Sequence, residues 1–425
     1  MTSSTLSLPN SPAAVGTGSD RTRTTFDALV LNARLRQSLV TVRSLGRRGL
    51  SVAAVETVDQ VPTFSSRWCE RAYVFPVADG TEPYLAHLEE MLVSAGTPVV
   101  IPSHDGTIAL LRRHRARFDS VARLALANEP ALAVAVSKKR TLEIAARLGL
   151  RAPRSAVVHA IGDAPVALKE IGLPAVIKPC ESWLWQGAQG AWAGPRLVTS
   201  EIEAAQAVRE LTRFGGAALW QELLMGQREA VSFLYANGRM HARFAQRATR
   251  TRPPLGGESV LRQSIAVPDD IGCQAERLVR EIDLQGYSEV EFRRDRAGVP
   301  YLMEINPRLS ASVEIAVRAG VDFPYLLYQW ARGGPIDTIA GYRVGGWMRH
   351  LGGDIETTLQ ALGERGRPGV TPPVRALLDF GFTFLRPMGY DYAAGDDPLP
   401  AITATANFTR DGIARIVSRL RKGFS

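Results

Sequence analysis

Residues 287–307 read YSEVEFRRDRAGVPYLMEINP, and the way this stretch folds back on itself decides the fold. Two runs of strand composition flank the turn-forming DRAG at 295–298, which predicts a β-hairpin. Strand side chains alternate, so Glu304 and Asn306 point to one face. The turn lies near the midpoint of 291 and 304, so antiparallel pairing brings Glu291 beside them. Two carboxylates and an amide oxygen on one face make an oxygen-only site. Magnesium favours that donor set, keeping waters and taking its other ligands from substrate phosphates. A solvated charged hairpin is the competing reading. The apolar company of YLMEINP makes it a poor place for an idle charge at Glu304.

Working outward, Lys178 ends the apolar run PAVIK, where a buried ammonium needs an anion, and a nucleotide phosphate is one. Lys138 lies at the front of a helix expected over 131–148 and can also reach a phosphate. GAQGAWAG (187–194) carries Gly187, Gly190 and Gly194, with Trp183, Trp185 and Trp192 around it. Backbone N–H groups of such a loop can close over phosphates, although glycines at this spacing are common in loops. In QELLMGQRE (221–229) the extended backbone around Glu222 and Leu224 can offer polar groups to an adenine edge, and Glu229 can accept from ribose hydroxyls. Ordinary carboxylates at a sheet edge are the alternative for Glu222 and Glu229.

Taken in order, these residues resemble the ATP-grasp superfamily, most closely the single-unit relatives of carbamoyl-phosphate synthase and the carboxylate–amine ligases, over about 27–332. MEINPRLSASVEIAVRAGVDFP (303–324) is the most specific stretch; SRWCERAYVFP (66–76) and VVIPSHDGTIALL (99–111) look like the domain that precedes it in that family. The resemblance implies Lys138 and Lys178 as nucleotide lysines, Glu229 as the ribose carboxylate, and Glu291, Glu304 and Asn306 as magnesium ligands. It makes Arg308 the group that steadies the transferred phosphoryl. Two departures stand out: Ser137 where the family often has Asp, and the tryptophans around the glycine loop. The implied reaction is ATP-dependent ligation of a carboxylate to an amine, or a thiol, through an acyl phosphate, with ATP and magnesium (manganese as alternative) as cofactors. A nucleotide-binding sensor or scaffold without turnover, and a carbamoyl-phosphate-type reaction, are the competing functions.

The implied fold is α/β plus α+β: a Rossmann-like domain at 25–125, a two-lobed ATP-grasp domain at 126–335 and an extension at 336–425. The residues agree. ALVLNA (28–33), an amphipathic stretch closed by Gly49, and LSVAAVE (50–56) give the strand–helix–strand pattern of a parallel sheet. Beyond 150, strand-like runs fall into hairpins, with Asn237-Gly238 the strongest turn signal. After about 340 the signals are uneven.

The 425 residues are 45% hydrophobic and 22% charged, ordinary globular composition for two or three domains. The net charge is +9, but the arginines are spread along the chain and form no nucleic-acid module, so nucleic acid is not expected as a partner. Cys69, Cys180 and Cys273 match no zinc or disulfide spacing, which favours a cytoplasmic location. Residues 1–24 read as a disordered leader. RATRTRPPLGGESV (247–260) is read either as a solvated basic loop or, with Arg262, as an anchor for the carboxylate substrate through Arg247, Arg250, Arg252 and Arg262. His104, at the end of a parallel strand, is a further substrate candidate. TRDGIARIVSRLRKGFS (409–425) sets Ile413, Ile416, Val417 and Leu420 on one helical face among arginines; docking on the protein is expected over contact with a membrane surface. The family resemblance also allows a homodimer.

Overall fold

Apolar runs of strand length followed by helices generate a parallel sheet first. The computed structural model describes residues 25–75, 81–96, 98–187, 189–213, 215–254 and 256–423, with backbone alone from 416; the expected leader lies outside them. The elements run β1 (Ala28–Leu31), α1 (Arg36–Gly46), β2 (Val52–Glu56), β3 (Arg71–Val74), α2 (Thr81–Ala95), β4 (Val99–Ile101), α3 (Asp105–Arg113), α4 (Arg115–Phe118) and β5 (Arg123–Leu124). All five strands are parallel, in the order β3-β2-β1-β4-β5. Strands β1 and β2 are buried throughout, as expected for a parallel sheet covered on both faces. Every residue of α1 is buried, Arg36 and Arg43 included.

The single helix expected over 131–148 is two: α5 (Glu129–Ala135) and α6 (Lys138–Arg147). Ser137 breaks it, because its extended backbone and its hydroxyl, which accepts from the Arg140 N–H, make it an N-cap. Lys138 thereby becomes the first residue of α6.

A second sheet follows from β6 (Ser155–Val158), α7 (Ala164–Ile171), β7 (Ala175–Pro179), β8 (Trp183–Gln186), β9 (Gln189–Trp192), β10 (Arg196–Val198), α8 (Glu201–Thr212) and β11 (Ala218–Glu222). Its order is β10-β7-β11-β6, and β8 with β9 stands apart as a hairpin. The third sheet is built on β12 (Arg228–Ala236), β13 (Arg239–Arg252), β14 (Glu258–Ile265), α9 (Asp269–Glu281), β15 (Gly286–Arg294), β16 (Pro300–Asn306), α10 (Glu314–Ala319) and α11 (Phe323–Arg332). Asn237 (φ 50°) and Gly238 (φ 74°) form the left-handed turn between β12 and β13, a conformation that asparagine tolerates and that glycine, without a β-carbon, adopts freely. One face of this sheet packs Val231, Phe233, Val290 and Phe292 against Ile271, Ala275 and Leu278 of α9.

Beyond 340 the chain adds β17 (Trp347–Arg349), α12 (Leu351–Gly363), α13 (Pro373–Phe382), β18 (Gly389–Tyr390) and α14 (Leu399–Gly423). The two strands extend the third sheet to seven, β16-β15-β12-β13-β14-β17-β18. Buried ion pairs fasten this segment: Asp391 receives Arg36 and Arg262, Asp354 receives Arg250 and Arg349, and Asp397 receives Arg43. Helix α14 docks through polar groups. Thr403 meets Ser65, Asn407 and Arg410 reach Gln60, and Arg415 pairs with Glu356 at 2.7 Å. Ile413, expected on the docked face, is 57% exposed, and the side chains of Ile416, Val417 and Leu420 lie outside those described. Among the described residues no helix is long and apolar enough to cross a membrane.

Candidate functional site

The β15–β16 register places Glu291 directly opposite Glu304, and Glu289 opposite Asn306. Directly paired residues in such a ladder have Cα atoms about 5 Å apart and project to the same face, so both carboxylates and the amide converge. Asn306 Nδ2 donates to Glu291 Oε1 at 3.0 Å. Arg228, on the adjoining β12, also donates to Glu291. Among the described residues no three His, Cys, Asp or Glu side chains gather at one point, so any cation here is held by two carboxylates and an amide. That set suits an oxygen-preferring divalent ion with open positions.

Lysines arrive from two other elements. Lys138 Nζ lies 3.0 Å from Ser182 Oγ and 3.4 Å from Glu304 Oε2. Lys178, on β7, crosses between sheets to donate to the Met303 carbonyl of β16 at 3.4 Å. Burial pushes the Lys178 ammonium down to about 8 against the pull of Glu304. Burial, with Glu304 and Glu289 nearby, pushes Glu291 up to about 7 despite Arg228. Burial opposes the charge of Glu304 too, but Lys138, Lys178 and Arg228 hold its pKa below the ordinary carboxylate range. Two facing carboxylates thus titrate apart, as like charges at close range must.

Arg308 makes a two-point contact with Asp105, Nε to Oδ1 and Nη2 to Oδ2 (3.2 Å). Asp105 opens α3, so the first sheet's domain fixes this guanidinium. His104 caps the same helix, its Nδ1 accepting from the Gly106 N–H at 3.1 Å, and its ring meets Trp183 edge to face. The glycine loop is the β8–β9 hairpin, and it packs on α3: Arg113 donates to the Gly187 carbonyl at 3.2 Å and lies over Trp185. Trp183 fills the space between Gly106 and Gly190. Asp105, Lys138, Ser182, Trp183, Glu304 and Asn306 together line a small cavity.

Several expected residues are not brought to this cluster. Glu229 lies on the α9 face of the sheet, one position out of phase with Glu291, and is held by Arg247 and Arg294 at 2.9 and 2.8 Å. With 1% of its surface exposed it has no room for a ribose. The site-facing position is Arg228. Of the arginines expected to bind substrate, Arg247 pairs with Glu229, Arg250 with Asp354, and Arg252 with Glu258 and Glu356. Arg262 is fully buried on Asp391 and touches no site. Glu222 is bound by Arg154 at 3.0 Å, and Leu224 is half-buried on the link between β11 and β12.

Sequence reasoning missed Arg228 and Glu289, and of Asp105 it missed the role rather than the place. Arg228 was hidden by the phase of β12, which shows only when the strand is paired. Glu289, two residues before Glu291 and bonded by Gln246 at 2.8 Å, was available from alternation alone. Asp105 beside His104 had no sequence signal for its link to Arg308.

The chain is similar to ATP-grasp proteins: residues 217–345 match the family model described as ATP-grasp in the biosynthetic pathway with Ter operon. The D-alanine–D-alanine ligase of Pseudomonas entomophila is 27% identical over 215 residues, 46% of this chain and 64% of that one. The chain thus spans less than two thirds of that relative. Among solved structures, the biotin carboxylase domain of Hydrogenobacter thermophilus 2-oxoglutarate carboxylase, in complex with MgADP and bicarbonate, superposes with a TM-score of 0.60 at 15% identity. The match covers 76% of this chain and 74% of that one. The L-amino acid ligase of Bacillus licheniformis gives 0.55 at 19% identity over 73% and 75%. These structures share the fold, a mixture of α/β layers with parallel and antiparallel sheets.

Proposed function

We propose that this chain is a ligase that uses Mg-ATP to activate a substrate carboxylate as an acyl phosphate and passes the acyl group to an amine, with a thiol as alternative acceptor. In this reading residues 25–125, 126–335 and 336–425 are the Rossmann-like domain, the ATP-grasp domain and the extension. One observation carries the proposal: Glu291 faces Glu304 across β15–β16 with Asn306 beside them, while Lys138 and Lys178 reach the same strand from separate elements. The name of the D-alanine–D-alanine ligase relative is consistent with a C–N bond-forming reaction.

Glu291, Glu304 and Asn306 would hold magnesium, or manganese, which when bound neutralises charge on the triphosphate. The backbone at 222–224 would meet the adenine. Lys138 and Lys178 hold phosphate oxygens, and the burial of Lys178 makes its charge more effective than it would be in water. A substrate carboxylate oxygen attacks the γ-phosphorus in line and the bond to ADP breaks. Arg308, oriented by Asp105, steadies the phosphoryl group during transfer. The amine then attacks the acyl carbon and phosphate leaves, with the amine's extra proton passing to solvent. No protein nucleophile is needed; positioning supplies the rate.

The test uses Mg-ATP with a panel of carboxylate and amine pairs, the carboxylate carrying 18O. ADP release with label in the phosphate, absent in Glu304→Ala, is the expected result. Phosphate without label, or equal turnover by Glu304→Ala, overturns the mechanism.

A further inference from the structure

Of the expected substrate arginines, Arg250, Arg252 and Arg262 serve instead as pegs for the extension, yet the space that Arg247 and Arg250 line has its own character. Between the third sheet and helices α12–α13 lies a cavity of about 780 Å³, within the range of sites for ligands well above one amino acid in size. Arg228 and Arg293 line it from the sheet, Arg250 from β13, and Arg375 and Arg386 from the extension. Counting Arg247, six arginines line the cavity against one carboxylate, Asp379, among the described residues. Glu291, Glu229 and Asp354 offset Arg228, Arg247 and Arg250 from outside the lining, and Arg375 lies 3.6 Å from Asp379. Arg386 stacks on Trp347, its Cζ 4.1 Å from the ring centroid, a contact with a neutral ring that leaves its charge on the cavity lining.

The cavity abuts the carboxylate cluster. Arg228 lines it and also pairs with Glu291, and Arg293 follows Glu291 by two residues on the same strand face. A ligand in the cavity therefore has one end beside the oxygen cluster and the other under the extension.

We propose that this chamber receives the carboxylate substrate, that this substrate carries two or more carboxylates, and that α12–α13 form its outer wall. One carboxylate sits by Arg228 for activation while Arg375 and Arg386 hold a distal one. The assignment rests on the ligase reading for the role of the near carboxylate, but not for binding itself. It gives the extension a purpose: size and charge selection.

The experiment uses full-length protein at constant ionic strength. Calorimetry is run with glutamylglutamate, tricarballylate and acetate, with 3-phosphoglycerate as the phosphate arm. The two carboxylate-rich probes are expected to bind at least tenfold tighter than acetate and more tightly than 3-phosphoglycerate. Arg375→Ala and Arg386→Ala are expected to lose about tenfold each, with partial recovery in the lysine variants. In ADP-release assays the same variants raise KM for the responding acid and leave its kcat and the ATP Kd close to wild type. Binding that is indifferent to carboxylate number, unaffected by both alanine variants, or strongest for 3-phosphoglycerate overturns the proposal. Carboxylate-dependent binding without any ADP release sinks the ligase reading and leaves the chamber standing. ADP release with a KM untouched by both variants does the reverse. Unchanged melting temperatures in Arg375→Ala and Arg386→Ala show that lost binding is not lost folding.

Discussion

The indole of Trp183 lies where a side chain on Gly106 would be: a β-carbon there would meet the ring at 2.5 Å. The β8–β9 hairpin is therefore seated on α3 only because position 106 has none. Gly106→Ala is expected to lift the hairpin, seen as a red shift of tryptophan emission and faster proteolysis within 183–192. Adding Trp183→Ala to Gly106→Ala should leave the protein no more sensitive than Trp183→Ala alone. Equal proteolysis of Gly106→Ala and wild type would count against the seating.

Asp391 sits between Arg36 and Arg262, all three buried. Removing its charge strands two guanidinium groups in a low-dielectric interior, where breaking a buried pair typically costs about 3–5 kcal/mol. Asp391→Asn is expected to lower stability by that order in urea unfolding, while Asp396→Asn, on the exposed pair with Arg47, should cost under about 1 kcal/mol. Similar losses in the two variants would contradict this account.

His350 is buried beside Arg36, and burial first, then that cation, pushes its pKa down to about 3. The unfolded chain takes up this proton near its ordinary value of 6.5, and the folded protein refuses it until about 3. Stability is thus unaffected above 6.5 and falls as pH drops through the window below it, by about 1.4 kcal/mol per pH unit for this group. Between pH 6.5 and 5, His350→Gln should lose less stability on acidification than wild type. Parallel curves would show that His350 contributes nothing.

Lys178, pushed down to about 8, carries its proton below that pH and loses it above. Phosphate binding favours the charged form, so nucleotide Kd should be flat from pH 6.5 to 8 and then weaken by up to ~tenfold per unit. Lys178→Met should bind more weakly at pH 7 and show no such break between 8 and 9. A break that persists in the variant would assign it to another group.

Local signals carried most of the hairpin region. Asn237-Gly238 and the turn at 295–298 each fix a register, and from a register the facing pair Glu291 and Glu304 follows. Glu229 lies off the cluster for the same reason that pair faces each other: its face depends on where β12 starts, and a shift of one residue sends it to the α9 side. Arg250, Arg252 and Arg262 were unreadable because their partners Asp354, Glu356 and Asp391 lie a hundred or more residues downstream. The extension gave uneven signals because Leu377, Leu378 and Phe382 of α13 are exposed, so no apolar face points to a core. Ser137 was visible as a helix start but was overridden by the apolar run before it.

Helix α1 forms early in the sequence, yet its two buried guanidinium groups close on Asp391 and Asp397, 355 and 354 residues further on. A ribosome must pass residue 397 before those charges are matched. A product terminated at, say, residue 380 would leave Arg36 and Arg43 exposed to solvent or stranded inside the first sheet's domain. The energetics of this early helix thus depend on residues translated hundreds of positions later, and chains ended before them are left open to degradation.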